Sequence, residues 1–172
     1  RRLQRVYKQM ASKALRVLAF AMNRRADGKI AEDEMCFVGF AGMIDPVRPE
    51  VAASIAECKR AGIKVVMITG DHKQTATAIA KGIGILTNES QAIDGAELDS
   101  LSDGQLAKRI NSLTVFARVQ PSDKMRIVKA FQSEGMVVAM TGDGINDATA
   151  IKAADIGVAM GDGSDVAKGA SD

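Results

Sequence analysis

Hydrophobic residues in this chain are concentrated in short runs that are separated by longer amphipathic stretches. The four clearest runs are residues 63–69 (IKVVMIT), 113–117 (LTVFA), 135–141 (GMVVAMT) and 155–160 (DIGVAM). None of them alternates between polar and apolar residues, which is typical of strands that are buried on both faces of a sheet. The pattern therefore predicts four buried β-strands.

The stretches between the runs have helical periodicity. Residues 49–61 begin with Pro49, which suits the first turn of a helix, and end before Gly62. Residues 72–83 and 121–133 carry apolar side chains at helical spacing. Strands that alternate with helices of this length predict parallel βαβ units, and hence an α/β fold in which helices cover both faces of a parallel sheet.

The N-terminal part has a different character. Residues 11–23 predict a helix that runs into a strand, and the polar residues 24–34 predict a turn or hairpin tip. A strand that begins at Phe37 then reaches a turn with two prolines, whose rings restrict the backbone. We place a hinge there, between a small leading segment (1–40) and the main domain (41–172).

Composition narrows the classes of function. Of the 172 residues 47% are hydrophobic, 23 are basic, 21 are acidic and only 3% are aromatic. The near balance of charge argues against a surface built for nucleic acid or for anionic membranes. The scarcity of aromatic residues argues against stacking on nucleic-acid bases. No apolar run approaches the ~18 residues of a membrane-spanning helix, so we expect a soluble segment. The sequence has no initiator Met, so we also expect it to be part of a longer chain. Cys36 and Cys58 are predicted to be buried, reduced thiols.

Polar side chains follow three of the four predicted strands. Because ligands bind at the carboxyl ends of the strands in open parallel sheets, these side chains form a candidate site. The candidate residues are Thr69, Gly70 and Asp71 at the end of the first run, Arg118 and then Lys124 after the second, and Asp143, Asn146 and Asp147 after the third.

Each of these residue types has a use at a phosphate. A threonine hydroxyl and the N–H of a following glycine can donate to phosphoryl oxygens. Lys124 supplies a compact positive charge that offsets the negative charge of phosphoryl transfer. Asp143 and Asp147 offer the oxygen ligands that Mg²⁺ prefers, and Asn146 can donate to phosphate without adding charge. The set predicts a site for Mg²⁺ and phosphate.

Each element also has a simpler interpretation when it is taken alone. The Gly-Asp-Gly sequence around Asp143 is common in tight turns, and a lone lysine such as Lys124 is usually a solvated helix residue. Asp71 can be explained as the cap of the helix that starts near His72, and His72 as a surface residue. The convergence of three strands on one sheet edge favours the functional interpretation.

The three longest motifs are TGDHKQTATAIAKGIGI (69–85), FARVQPSDKMRIVKAFQ (116–132) and TGDGINDATAIKAADIGVAMG (141–161). They resemble the phosphorylation domain of P-type cation-transporting ATPases, within the haloacid-dehalogenase-like superfamily. Residues 39–51 resemble the family's hinge, and KALRVLAFA (13–21) resembles the end of its nucleotide-binding domain. The motifs are most similar to those of compact bacterial calcium-type pumps. The resemblance implies a Rossmannoid parallel sheet and an ATP-driven cation pump.

The resemblance also implies roles for individual residues. Thr69, Lys124, Asp143 and Asp147 take part in catalysis, and the last two hold Mg²⁺. Nucleotide or phosphate is contacted by Arg16, Leu18, Arg48, Thr69, Gly70, Asp71, Arg118, Lys124 and Asn146, while Asp45 lies at the hinge. The implied ligands are ATP and Mg²⁺, and the implied partners are the remaining nucleotide-binding, actuator and transmembrane domains of a membrane protein with this region on its cytoplasmic side. The transported cation and nucleic acid are not expected to bind here.

The sequence departs from the family at two points. The family's nucleophile is an aspartate in a D-K-T-G-T motif, which does not occur in these 172 residues. We expect it upstream, on a strand that is central in the sheet, so that the present chain leaves a gap and forms no phosphoenzyme by itself. In addition, Thr149 stands where the family usually has proline.

Two other functions remain open at this point. The first is a soluble haloacid-dehalogenase-type phosphatase that acts on a small phosphomonoester, although its N-terminal D-x-D strand is equally absent. The second is a ligand-binding domain that has lost its nucleophile.

Overall fold

A computed structural model describes residues 2–13, 15–23, 35–44 and 46–172. The predicted turn at 24–34 and the hinge residue Asp45 lie outside these ranges. Two 3₁₀ turns, at Glu89–Gln91 and Ile145–Asp147, accompany the regular elements. In chain order these elements are α1 (Arg2–Ala11), β1 (Arg16–Met22), β2 (Cys36–Met43), α2 (Val51–Arg60), β3 (Met67–Ile68), α3 (Lys73–Gly82), β4 (Ala92–Asp94), α4 (Gly95–Asp99), α5 (Asp103–Ile110), β5 (Val115–Ala117), α6 (Pro121–Ser133), β6 (Ala139–Gly142), α7 (Ala148–Ala153), β7 (Ile156–Ala159) and α8 (Asp165–Ala170).

The strands form three groups. Strands β3, β5 and β4 make a parallel sheet in that order, and β6 pairs in parallel with β7. Strands β1 and β2 form an antiparallel hairpin in which Arg16 lies opposite Met43. The predicted α/β fold is thus confirmed, and a strand overlaps each of the four predicted runs, but each strand is shorter than its run. Of these four strands only β5 is buried at every residue, so the prediction of four buried strands is wrong for the others. Strands β6 and β7 each have exposed residues, because they form a separate two-stranded sheet. Strand β4 was not predicted.

Helices cover both faces of the three-stranded sheet, as predicted. The side chains of Val115 and Ala117 on β5 belong to a buried cluster that includes Ile55 of α2 and Ala76 of α3. Phe116, between them in sequence, belongs to a second cluster on the opposite face. This second cluster contains Ile93, Leu98, Leu106, Ile110, Leu113, Val119, Ile127, Ala130 and Phe131. Full burial of a side chain such as Phe116 contributes about 2–3 kcal/mol to folding, so the core holds the strand ends at fixed positions.

Helix α6 shows why the sequence predicts some elements to the residue. It begins at Pro121, whose missing N–H is not needed in the first turn. The carboxylate of Asp123 accepts a hydrogen bond from the N–H of Gln120 at 2.6 Å, which satisfies a free donor at the helix start. Beyond its C-terminus, Gly135 adopts a φ of 78°, a conformation that favours glycine. Its bounds are the predicted 121–133.

The N-terminal hairpin carries two corrections. The helix α1 ends at Ala11 and does not run into the strand, because a turn at residues 12–13 follows it. Cys36 is exposed and Cys58 is half-buried, so the prediction of two buried thiols is wrong, although both cysteines are free. Apolar side chains of the hairpin, including Phe20 and Phe37, are more than 40% exposed. The physical reason is that few of the described residues pack on this two-stranded sheet.

None of the helices in the described part of the chain combines the length and the apolar character that a membrane-spanning helix requires.

Candidate functional site

Strands β3 and β6 face each other across an open cleft, which we call the central cleft. The two strands belong to different sheets and do not pair, and the space between them has a volume of about 1020 Å³. Apolar side chains from both strands and from α2 and α6 line its walls. Five of the predicted site residues also line it, namely Thr69, Gly70, Lys124, Asp143 and Asp147. The structure therefore brings together groups that are up to 78 positions apart in the sequence (69 to 147).

Lys124 and Asp147 form an ion pair in this cleft. The Nζ of Lys124 on α6 lies 2.5 Å from Oδ1 of Asp147, and the two side chains are only 16% and 10% exposed. The other carboxylate oxygen of Asp147, Oδ2, accepts a hydrogen bond from the N–H of Gly144 at 3.1 Å. Lys124 is therefore not the solvated helix residue of the simpler interpretation.

The environment of Asp147 acts on its pKa in two directions. Burial raises the pKa of this carboxyl, because the charged form loses hydration. The hydrogen bond from Lys124, the N–H of Gly144 and the positive charge of Lys124 together outweigh that effect, so the net pKa lies below its ordinary value. The carboxylate of Asp147 is thus ionised at neutral pH.

Gly142, the last residue of β6, allows Asp147 to pack against the strand. A Cβ at this position would lie 2.4 Å from the Cβ of Asp147 and 2.7 Å from its Cγ, distances that real contacts do not show. This role of Gly142 was not predicted from the sequence. A glycine between a buried strand and two aspartates was the available signal, but glycines are too common there to be decisive.

Asp143 has a different environment from Asp147. Its side chain is exposed at the edge of the central cleft, while its backbone carbonyl accepts a hydrogen bond from the N–H of Ser164 at 2.8 Å. Within the described residues no group of three or more His, Cys, Asp or Glu side chains is arranged to hold a metal ion. Asp143 has the chemistry of a Mg²⁺ ligand, whereas both oxygens of Asp147 are already engaged. A cation here needs further oxygen ligands from water or phosphate.

The loop after β3 holds Thr69 and Asp71 together. The hydroxyl of Thr69 donates to the carboxylate of Asp71 at 3.2 Å and accepts a hydrogen bond from the N–H of Asp71 at 3.1 Å. The capping position of α3 is occupied by His72, which makes no side-chain capping hydrogen bond. The interpretation of Asp71 as a helix cap is therefore not supported, and His72 is exposed as expected.

A second, smaller cavity of about 370 Å³ lies between the hairpin and the loop after β3, and we call it the hairpin cleft. It joins the central cleft at Gly70, which lines both. Five predicted nucleotide-binding residues line it, namely Arg16, Leu18, Gly70, Asp71 and Arg118. Tyr7, His72 and Thr75 also line this cleft, and none of them was predicted to do so. The rings of Tyr7 and His72 meet edge to face with centroids 6.2 Å apart.

Two predicted site residues lie outside both clefts. Arg48 is an exposed residue in the turn before α2, and its carbonyl accepts a hydrogen bond from the N–H of Val51. Asn146 is exposed in the 3₁₀ turn between Asp143 and Asp147 but does not line the central cleft. The structure does not bring either residue to the groups that gather around Lys124.

This arrangement, with a lysine and two aspartates at the ends of parallel strands, agrees with a comparison with known families. A model of the haloacid dehalogenase-like hydrolases matches residues 7–155. The chain belongs to this family. The match confirms the superfamily that the motifs predict, and it spans the hairpin and the predicted site residues that line the central cleft.

Within the haloacid dehalogenase-like family, the chain is similar to proteins with cation-transport names. It is 54% identical over 168 residues to calcium-transporting ATPase 1 of Bacillus cereus, which covers 95% of this chain and 19% of that protein. It is 51% identical over 172 residues to the calcium-transporting ATPase of Bacillus subtilis, a match that covers 96% of this chain and 19% of that protein. It is 47% identical over 171 residues to the cation-transporting ATPase pma1 of Synechocystis, a match that covers 95% of this chain and 19% of that protein. The chain spans about a fifth of the length of these curated relatives.

Proposed function

We propose that this chain is the phosphoryl-handling region of an ATP-driven cation pump of the P-type ATPase family, and that the pump transports calcium. The membership of the haloacid dehalogenase-like family and the similarity to calcium-transporting ATPases support this proposal. In it, residues 1–40 belong to a nucleotide-binding domain and residues 41–172 to a phosphorylation domain.

The observation that carries the proposal is the position of the Lys124–Asp147 ion pair. It lies in the central cleft, which Thr69, Gly70 and Asp143 also line. We assign Thr69 and Gly70 as hydrogen-bond donors to a phosphoryl group, and Lys124 as the cation that neutralises its oxygens. Asp147 holds Lys124 in position, because its second oxygen is anchored by the N–H of Gly144.

Asp143 is the residue of this chain that we assign to Mg²⁺. Its carboxylate is exposed at the cleft, so it can contact a hydrated cation without breaking an existing ion pair. When bound, Mg²⁺ supplies positive charge that stabilises the oxygens of the transferred phosphoryl group. The carboxylate of Asp147 contributes to that site through its charge.

The hairpin cleft is the proposed binding site for the rest of the nucleotide. Arg16 and Arg118 bring two guanidinium groups to its walls, and Leu18 adds an apolar side chain. Guanidinium groups bind phosphate oxygens through paired hydrogen bonds. Because this cleft joins the central cleft at Gly70, one ATP molecule can reach from the hairpin to Lys124. The roles of Arg48 and Asn146 stay predictions from the resemblance.

The phosphorylated aspartate is proposed to come from another part of the longer pump. No D-K-T-G-T motif occurs among the 172 residues, and the edges of β3 and β6 that face the central cleft pair with no described strand. An extended segment with apolar side chains fits a space bounded by two unpaired strand edges. We propose that the strand with the nucleophile enters there, so that its aspartate lies beside Lys124 and Asp143.

The test compares the 172-residue chain with the longer protein that carries it, using ATP labelled on its γ-phosphate. The proposal predicts a calcium-dependent phosphoenzyme in the longer protein that hydroxylamine removes, and none in the chain alone. Lys124→Ala abolishes it, while Lys129→Ala, which changes an exposed lysine on the same helix, leaves it unchanged.

Three results count against the proposal. The first is incorporation of labelled phosphate into the 172-residue chain alone. The second is equal incorporation by the Lys124→Ala and Lys129→Ala variants of the longer protein. The third is hydrolysis of small phosphomonoesters by the chain alone, which indicates a soluble phosphatase.

A further inference from the structure

Arg118 has an unusual backbone conformation for its residue type. Its φ is 50°, and it is the one non-glycine residue with a positive φ in the part of the chain that the structure describes. Residues other than glycine, asparagine and aspartate rarely adopt this left-handed backbone conformation, which persists only where the surrounding structure imposes it. The residue directly follows β5, and its side chain lines the hairpin cleft.

Two backbone hydrogen bonds connect Arg118 and Val119 to the loop after β3. The N–H of Arg118 donates to the carbonyl of Asp71 at 3.0 Å, and the N–H of Val119 donates to the carbonyl of Thr69 at 3.4 Å. Arg118 is therefore tied to the same loop that presents Thr69 and Asp71 to the two clefts.

Gly95 lies against the peptide of Arg118. It is the first residue of α4, directly after Asp94, which lies opposite Ala117 in the sheet. A Cβ at Gly95 would lie 2.4 Å from the carbonyl oxygen of Arg118 and 3.3 Å from its carbonyl carbon. Backbone atoms cannot move aside as a flexible side chain can, so any residue other than glycine displaces the Arg118 peptide.

We propose that Gly95 is a positioning residue for nucleotide binding, and that it acts through Arg118. Gly95 itself is buried and does not line either cleft, so it has no contact of its own with a ligand there. By leaving room for the Arg118 carbonyl it permits the left-handed backbone of Arg118, a residue that lines the hairpin cleft. This inference rests on the proposed function, since it takes the ligand of that cleft to be ATP.

The experiment is a double-mutant cycle on the 172-residue chain, with the affinity for ATP and Mg²⁺ measured by calorimetry. Arg118→Ala weakens binding about tenfold, as expected for the loss of a charge-assisted hydrogen bond. Gly95→Ala weakens it by a similar factor, and it adds nothing further in the Arg118→Ala background. The matched control is Gly104→Ala on α5, where an added Cβ meets no atom within 4 Å and ATP affinity stays unchanged.

The outcomes separate this inference from the proposed function. If the unchanged chain binds no ATP at millimolar concentration, or if Arg118→Ala binds ATP normally, the assignment of the hairpin cleft fails and the inference fails with it. If Arg118→Ala weakens binding but folded Gly95→Ala does not, only the inference is overturned. It is also overturned if Gly95→Ala weakens binding by the same factor in both backgrounds, since Gly95 then acts without Arg118.

A second variant covers the case in which Gly95→Ala does not fold. Arg118→Gly gives the peptide access to conformations that arginine cannot adopt, so it can rotate away from the new Cβ. The double variant Gly95→Ala with Arg118→Gly is expected to regain a cooperative unfolding transition without regaining ATP affinity. Failure to regain folding overturns the proposed contact between Gly95 and Arg118.

Discussion

Lys124 and Asp147, which are 23 positions apart in the sequence, form an ion pair with an Nζ to Oδ1 distance of 2.5 Å and little contact with solvent. The pair connects α6 to the turn that follows β6, two elements that carry different parts of the candidate site. In the proposed phosphate site, the carboxylate of Asp147 balances the charge of Lys124 when no phosphate is bound.

The first prediction concerns the stability of this pair. Lys124→Ala removes the cation that faces the Asp147 carboxylate. We expect it to lower the free energy of unfolding by about 2–3 kcal/mol, below the value for a fully buried pair because some solvent contact remains. Asp147→Ala has a comparable effect, and the double variant loses less than the sum of the two. Denaturant unfolding measures all three.

A matched control exists for that cycle. Lys81 and Glu89 form a pair with a similar distance, 2.6 Å, but with side chains that are 47% and 74% exposed. Because exposed pairs contribute little, Lys81→Ala is expected to change the unfolding free energy far less than Lys124→Ala. Equal losses for the two lysines, or strict additivity in the cycle, contradict the account.

The second prediction concerns acid. The pKa of Asp147 in the folded chain lies below its ordinary value of 3.8, so the unfolded chain takes up this proton first as the pH falls. The stabilisation is therefore complete above about pH 5, well above the ordinary pKa, and is lost as the pH falls through the folded-state pKa. The pKa values of Glu89 and Asp155 are lowered as well, so the informative quantity is a difference between variants.

That difference is the pH dependence of unfolding for the unchanged chain minus that for Asp147→Asn. We expect the unchanged chain to lose more stability than the variant between about pH 5 and pH 2. Parallel curves over this range mean that Asp147 is not held ionised by Lys124.

The third prediction concerns the glycines around Asp147. Gly142→Ala places a Cβ 2.4 Å from that of Asp147, and we expect a loss of about 1–3 kcal/mol, typical of overpacking. Gly144→Ala is the control, because its nearest neighbour is 3.4 Å away and its φ of −102° suits any residue. We expect its effect to stay within about 0.5 kcal/mol. A similar loss in both variants would point to glycine flexibility and away from the contact.

The sequence predicts an element best where capping residues mark both of its ends and apolar residues mark its buried face. Helix α6 has a proline start, a capping aspartate and a glycine after its end, so its bounds follow from the sequence alone. The strand within residues 63–69 pairs only at Met67–Ile68, because an apolar run indicates burial but not which neighbours are present. The three residues of β4 are too few to form a recognisable pattern, although their pairing with β5 completes the sheet.

The site was predictable in its location but only partly in its contacts. Ligands bind at the carboxyl ends of parallel strands, so the gathering of Thr69, Lys124 and Asp143 in one cleft was predictable. That β3 and β6 belong to different sheets was not. The ion pair of Lys124 with Asp147 depends on the packing of α6 against the turn after β6, which no local pattern encodes. The contact between Gly95 and Arg118 was not predictable either, because the two residues follow different strands, β4 and β5.

The most direct test of the central claim is the binding of inorganic phosphate to the 172-residue chain, measured by ³¹P NMR titration with and without Mg²⁺. The account predicts tighter binding with Mg²⁺, a gain that Asp143→Ala removes. It predicts about tenfold weaker binding for Lys124→Ala in both conditions, with Lys129→Ala unchanged. A phosphate affinity that is independent of Mg²⁺ and equal in all variants would contradict the assignment of the central cleft to phosphoryl transfer.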